Sequence, residues 1–135
     1  MRYLLSACAA LTLSGCVGSF DIPADKLPTA NLAQLCGAVM AGRQTANFPL
    51  VDRASAELER RNLFTQPELA GIVLGTARPG MSEQAGLCAW GYYWRDVNST
   101  TTAGGTNKQY VFGDGRFIET RYLYTRNGRV TATQP

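Results

Sequence analysis

The apolar positions of residues 29–91 repeat with the spacing of α-helices. An apolar stripe predicts a first helix that begins near Thr29 and ends at Gly42; it consists of Leu32, Leu35, Cys36, Val39 and Met40. Similar stripes predict three more helices, over 51–62, from the capping box at 65–68 to Gly75, and from Ser82 to Gly91. In the helix over 51–62, the charged side chains are expected to face solvent; they are Arg53, Glu57, Arg60 and Arg61.

After Gly91 the pattern becomes that of β-strands. Residue types predict strands at 92–94, 108–112, 116–125 and 129–133, whereas the small polar stretch 98–107 predicts a mobile loop. Asp114-Gly115 and Asn127-Gly128 are hairpin turn sequences that fix the register of their strands. The expected cross-strand pairs are Phe112 with Phe117, Leu123 with Ala132, Tyr124 with Thr131, and Thr125 with Val130.

This register divides the side chains between two sheet faces. The expected core face holds Tyr110, Phe112, Phe117, Leu123, Val130 and Ala132. The second face holds Val111, Ile118, Tyr122 and Tyr124, and a bulge near Thr120 would reverse half of the assignment. The element order predicts an α+β fold, with the N-terminal helices packed on one face of a three- to four-stranded antiparallel sheet.

The N-terminus has the pattern of a bacterial lipoprotein signal. Arg2 precedes an apolar run from Tyr3 to Leu13, which is too short to span a bilayer. The run ends in Leu13-Ser14-Gly15-Cys16, which resembles a lipobox, where cleavage precedes the cysteine and its thiol is lipidated. We therefore predict a signal peptide over 1–15 and a lipidated Cys16 followed by a tether, together 16–28. The alternative is a core helix with a chance cysteine.

Two cysteines, Cys36 and Cys88, remain once the signal is removed and Cys16 is lipidated. In an oxidising compartment such a pair is a candidate disulfide, which would close a loop of about 52 residues. Two buried free thiols are the alternative, because cysteine is a common core residue.

The motifs from Thr65 to Thr133, taken in order, resemble the SmpA/OmlA, or BamE-like, domain of outer-membrane lipoproteins. The matching parts are Thr65-Gln66-Pro67-Glu68, Gly80-Met81-Ser82, Trp90-Gly91, the strands at 108–112 and 116–125, and Asn127-Gly128-Arg129-Val130. Tyr93 stands where the family usually has proline, and Thr76–Pro79 lengthens the link before Gly80. The resemblance implies a BamE-like domain over 65–135, preceded by a helical extension over 29–64. It also implies a non-enzymatic accessory subunit in outer-membrane protein assembly or envelope integrity.

The composition disfavours most catalytic chemistry. The chain has no histidine, which excludes histidine-assisted nucleophiles and histidine zinc sites. A net charge of +3 without a basic tract argues against nucleic acid. Arg43-Gln44 stands where a phosphate-binding loop needs Lys and Ser or Thr, which argues against a nucleotide. We predict no enzyme activity, cofactor or metal, and the remaining enzymatic alternative is a carboxylate-dependent hydrolase that uses Asp96 and Glu119.

These features predict a lipid-anchored binding or scaffold protein on the periplasmic side of the outer membrane. Val17 supports the outer membrane, because aspartate at that position retains lipoproteins at the inner membrane in well-studied envelopes. The expected partners are the membrane, through the anchor, and envelope or outer-membrane proteins. The candidate contact surface is the second sheet face together with the loop at 98–107. The exposed aromatic side chains of this face suit a protein partner, and its residues are Val111, Ile118, Tyr122 and Tyr124. Two alternatives remain, namely that the N-terminal helices cover this face, or that the protein inhibits an envelope enzyme through it.

Overall fold

The computed structural model describes residues 21–135, so the predicted signal peptide and Cys16 lie outside the described residues. A 3₁₀ helix, Ala24–Thr29, is followed by four α-helices: α1 Leu32–Gln44, α2 Phe48–Arg60, α3 Gln66–Leu74 and α4 Glu83–Ala89. Four strands come next: β1 Asp96–Thr102, β2 Gly105–Phe112, β3 Arg121–Arg126 and β4 Arg129–Gln134. They form one antiparallel sheet in the order β1-β2-β3-β4, so the α+β prediction is confirmed.

Side-chain caps explain where the helices begin. Asn31 caps α1 in a capping box with Gln34, so this helix begins after Asn31 and not near Thr29. The capping box predicted at Thr65 and Glu68 is present at the start of α3. The Glu68 carboxylate also accepts a hydrogen bond of 2.6 Å from the Ser82 backbone N–H, which ties the start of α3 to the cap of α4.

One hydrophobic core joins the helices to the sheet. Its fully buried side chains come from both parts of the chain and include Leu35, Leu58, Ile72, Phe112 and Leu123. A disulfide links Cys36 in α1 to Cys88 in α4, which confirms that candidate pair. Because the bridge and the core both cross the predicted division at 64/65, the segments 29–64 and 65–135 do not have separate cores.

The first part of the sheet differs from the prediction. Residues 98–107 are not a mobile loop, since most of them lie in β1 and β2 and pair along their length, with Thr101 opposite Thr106. The hydroxyls of that pair hydrogen-bond at 3.1 Å, and threonine suits a pleated surface. The predicted strand at 92–94 is absent, because Tyr92 has a positive φ and its ring packs edge-to-face on Trp94.

The prediction of a long strand over 116–125 is also wrong for its first half, because β3 begins only at Arg121. Residues 113–120, which we call the β2–β3 loop, fold on the Asp114 carboxylate, which accepts backbone N–H bonds from residues 116, 117 and 118 at 2.9 Å each. Phe112 therefore pairs with Arg121 and not with Phe117. Phe117 is 92% exposed, so its assignment to the core was wrong.

A bulge between Tyr124 and Thr125 changes the register of the last hairpin. The predicted pair of Thr125 with Val130 is confirmed, but beyond the bulge Leu123 pairs with Thr133, and Tyr124 pairs with Ala132. Thr131 is the extra residue, and its hydroxyl donates to the Tyr124 carbonyl at 3.2 Å. Ala132 is consequently exposed and outside the core, whereas four predicted core residues are buried: Tyr110, Phe112, Leu123 and Val130.

The segment predicted as a tether is partly folded. Ile22 and Leu27 are buried, and the Leu27 carbonyl accepts a hydrogen bond of 3.1 Å from Arg61. Arg61 and Arg60 both donate to Glu57, which is only 7% exposed. The prediction that Glu57 faces solvent is therefore wrong. The tether prediction is therefore wrong from Ile22 onward, because these contacts hold the 3₁₀ helix against α2.

Candidate partner-binding surface

The sheet face that carries Tyr122 and Tyr124 is the candidate surface, and we call it the outer face. The two side chains lie two residues apart on β3, half-buried, with ring centroids 6.4 Å apart and planes inclined by 30°. Val111 is the β2 partner of Tyr122, but it is only 5% exposed and offers no contact area. Ile118 belongs to the β2–β3 loop and not to a strand. The structure thus groups Val111, Tyr122 and Tyr124 on the sheet and places Ile118 outside its strands.

A row of hydrogen-bonded side chains crosses the outer face through all four strands. Asn98 donates to Gln109 at 3.0 Å, Gln109 donates to Tyr124 at 3.1 Å, and Tyr124 donates to Gln134 at 2.9 Å. We call these residues the polar ladder. Sequence reasoning missed it, because β1 was interpreted as a loop and the bulge brings Gln134 to the Tyr124 side. The threonine-rich composition of β1 was the available signal for a strand.

The β2–β3 loop presents apolar side chains in a fixed conformation. Phe117 and Ile118 are both exposed. Their backbone N–H groups donate hydrogen bonds to the Asp114 carboxylate, which fixes the conformation of the loop. The backbone N–H groups of Ile118, Arg116 and Phe117 stabilise the ionised form and lower the Asp114 pKa to about 2. Gly113 has φ +81°, and an added Cβ there would collide with the Glu119 carbonyl, so this position requires glycine.

The opposite sheet face is fastened to α4 through Glu83. One carboxylate oxygen accepts from Lys108 at 2.8 Å and from the Tyr110 hydroxyl at 2.7 Å, and the other accepts from Thr125 at 2.7 Å. Partial burial opposes ionisation, but these hydrogen bonds outweigh it and lower the pKa of Glu83. The cluster fixes the sheet on the helices, and therefore leaves the outer face uncovered by α4.

Arg43 holds the helices together at their C-terminal ends. Its guanidinium donates to the carbonyls of Ile72 at 2.9 Å and of Ala89 at 3.3 Å, in the last turns of α3 and α4. Burial and the nearby charge of Arg121 lower the pKa of Arg43. A cation beside two helix C-termini donates hydrogen bonds to carbonyls that have no partner within the helix, and its positive charge interacts favourably with the negative ends of the helix dipoles. The residue that stood in a phosphate-loop-like sequence therefore has a structural role.

The carboxylates considered for hydrolysis are both exposed. Asp96 opens β1, where its side chain accepts from the Val97 backbone N–H at 2.8 Å. Glu119 lies on the β2–β3 loop. Among residues 21–135 no cluster of three or more His, Cys, Asp or Glu side chains could hold a metal ion. Within the same residues, none of the helices combines the length and the apolar character that crossing a bilayer demands.

The described residues include the disulfide cysteines but not the predicted anchor. Cys16 lies outside the described residues, so its lipidation stays a prediction. Cys36 and Cys88 are both fully buried in their bridge, which makes them structural residues and not contact residues.

Comparison of the chain with protein-family models, with curated proteins and with solved structures produced no match in any of the three. The resemblance to BamE-like domains consequently stays a prediction that depends on the order of the motifs and on the lipobox.

Proposed function

We propose that this chain is a lipid-anchored, non-enzymatic binding protein on the periplasmic side of the outer membrane, and that it contacts a protein partner through the outer face of its sheet. The observation that carries the proposal is the polar ladder, which leaves amide, hydroxyl and aromatic groups in fixed positions on an open surface. Tyrosine and neutral polar side chains of this kind are common at protein interfaces, where tyrosine contributes area at a small entropic cost.

The ladder supports a preorganised interface. Each of its members is held by a neighbour on the next strand, so little side-chain freedom remains to be lost when a partner binds. Tyr122 has no part in the ladder, yet its ring is stacked beside that of Tyr124. The two rings would form the centre of the contact, with the ladder on the side of Asn98 and Gln134.

The predicted anchor restricts where such a partner can be. Ile22 is buried in the domain, so only the short segment 17–21 separates it from Cys16. At about 3.3 Å per residue, the six residue steps from Cys16 to Ile22 span at most about 20 Å. A lipidated Cys16 would therefore keep the domain beside the bilayer, where membrane-embedded proteins are the nearest partners. This position agrees with an accessory role in outer-membrane protein assembly or in envelope integrity, the two roles that the BamE-like resemblance implies.

Site-specific photo-cross-linking in the native envelope tests the surface. A photoreactive phenylalanine at Tyr122 or Tyr124 should yield a discrete protein adduct, whereas the same group at the exposed Phe48, in α2, should not yield that adduct. If the protein acts in assembly, the adduct should contain an outer-membrane protein. An envelope hydrolase in the adduct would instead favour the alternative that the protein is an inhibitor. Absence of adducts from both tyrosines, with normal protein levels, would refute the proposed surface.

The anchor is tested separately by Cys16→Ala. We expect the variant to lose the acyl mass and to keep its signal sequence uncleaved before residue 16. Any protein that is cleaved at another position should appear in the soluble fraction. Membrane-bound Cys16→Ala protein with the mass of the wild-type protein would refute lipidation at this residue.

A further inference from the structure

A groove between α2 and α3 lies apart from the outer face. Its volume is about 460 Å³, within the range of ligand-sized pockets. Both helices come before the strands in the chain, and the groove is lined by residues of α2 and α3 alone. The lining residues used below are Asp52, Ala56 and Glu59 from α2, and Gln66, Ala70 and Leu74 from α3.

The floor of the groove is apolar and incompletely covered. Ala56 and Ala70 are small and exposed, so the facing helix surfaces leave room for a larger side chain between them. Leu74, at the end of α3, is 65% exposed, and the half-buried Val73 adds further apolar surface beside the buried Leu69. Covering this surface would remove apolar area from water without any change in the fold.

The rim of the groove is acidic. Asp52 and Glu59 are both exposed and lie seven residues apart, on the same side of α2. No lysine or arginine lines the groove, and the arginines at the end of α2, Arg60 and Arg61, are bound to Glu57 instead. Glu59 accepts a hydrogen bond of 2.9 Å from Gln66, a neutral donor that leaves its charge uncompensated.

We propose that this groove binds a basic amphipathic helix of a partner protein. Leucine-like side chains spaced three and four residues apart would enter between Ala56 and Ala70, and lysine or arginine side chains on the flanks would meet Asp52 and Glu59. The proposal is independent of the outer face, because the two surfaces share no residue.

Titration of the folded domain with a synthetic helix tests the proposal. The probe is a leucine–lysine peptide of about four turns with leucines along one face, and ¹⁵N-labelled protein reports the contact through backbone NMR shifts. We expect saturable shifts at the groove residues of α2 and α3, and unchanged signals on the outer face. A scrambled peptide of the same composition, which has no apolar face, should bind at least tenfold more weakly.

Two exposed-site variants show whether the groove is responsible. Ala70→Trp fills the floor and should abolish the shifts, and the pair Asp52→Lys and Glu59→Lys should weaken binding at least tenfold. A control with the same change of charge elsewhere, Asp25→Lys with Glu119→Lys, should bind the peptide within about twofold of the wild-type protein. Equal binding by Ala70→Trp, by the scrambled peptide or by the rim variant would overturn the proposal.

Discussion

Removal of the Cys36–Cys88 disulfide should cost this domain a large part of its stability. The perturbation is the double substitution Cys36→Ala and Cys88→Ala, which deletes the covalent link between α1 and α4. Both cysteines are fully buried, so alanine leaves no charged or exposed group behind.

The expected magnitude follows from the loop that the bridge closes. The cysteines are separated by 52 residues in sequence. In the chain-entropy model, a loop of this length restricts the unfolded state by about 4 kcal/mol at 25 °C. For a domain of this size, about 1 kcal/mol corresponds to about 4 °C in the melting temperature, so the variant should melt about 15 °C lower. Small domains have a total stability of about 5–15 kcal/mol, so the loss is substantial.

Thermal unfolding followed by circular dichroism measures this shift. Reduced wild-type protein serves as the control, since it lacks the bridge but keeps both sulfur atoms in the core. The loop-closure reasoning expects the reduced protein and the double variant to melt within a few degrees of each other and far below the oxidised protein. Equal melting temperatures for the oxidised protein and both comparison forms would refute it.

Two further predictions concern ionised groups that the fold uses. Glu83→Gln should lower the free energy of unfolding by about 1–3 kcal/mol in urea titrations, because it removes a charge that accepts hydrogen bonds from Lys108, Tyr110 and Thr125. The exposed control Glu119→Gln should change the free energy of unfolding by less than about 0.5 kcal/mol, and equal effects of the two variants would contradict the role of Glu83. Hydrogen bonds from Arg60 and Arg61 lower the Glu57 pKa from 4.5 to about 2, so its stabilisation is complete above pH 4.5 and is lost as the pH falls toward 2. Glu57→Gln should therefore flatten the acid limb of a plot of unfolding free energy against pH, and an unchanged acid limb would refute this contribution.

Local chemistry determined much of this protein before any tertiary contact is considered. Helical apolar stripes and turn glycines place four helices and the last hairpin, because capping and chain geometry act over a few residues. Such local or compositional signals also predicted three finer features: the capping box at Thr65 and Glu68, the pairing of Thr125 with Val130, and the disulfide between the two remaining cysteines.

Tertiary structure decided the features that depend on distant partners. A stretch of small polar residues becomes β1 because β2 offers its backbone groups. The loop that exposes Phe117 is a local feature, since the Asp114 carboxylate accepts backbone N–H bonds from residues two to four positions further along the chain; the strand-forming residue types after it predicted a strand instead. The bulge after Tyr124 moves Ala132 out of the core and brings Gln134 to the polar ladder. Side-chain patterns alternate along a strand but do not reveal where one residue is inserted, and such an insertion transfers every side chain beyond it to the other face. For that reason the elements were predictable from the sequence, whereas the composition of the outer face was set by the assembled sheet.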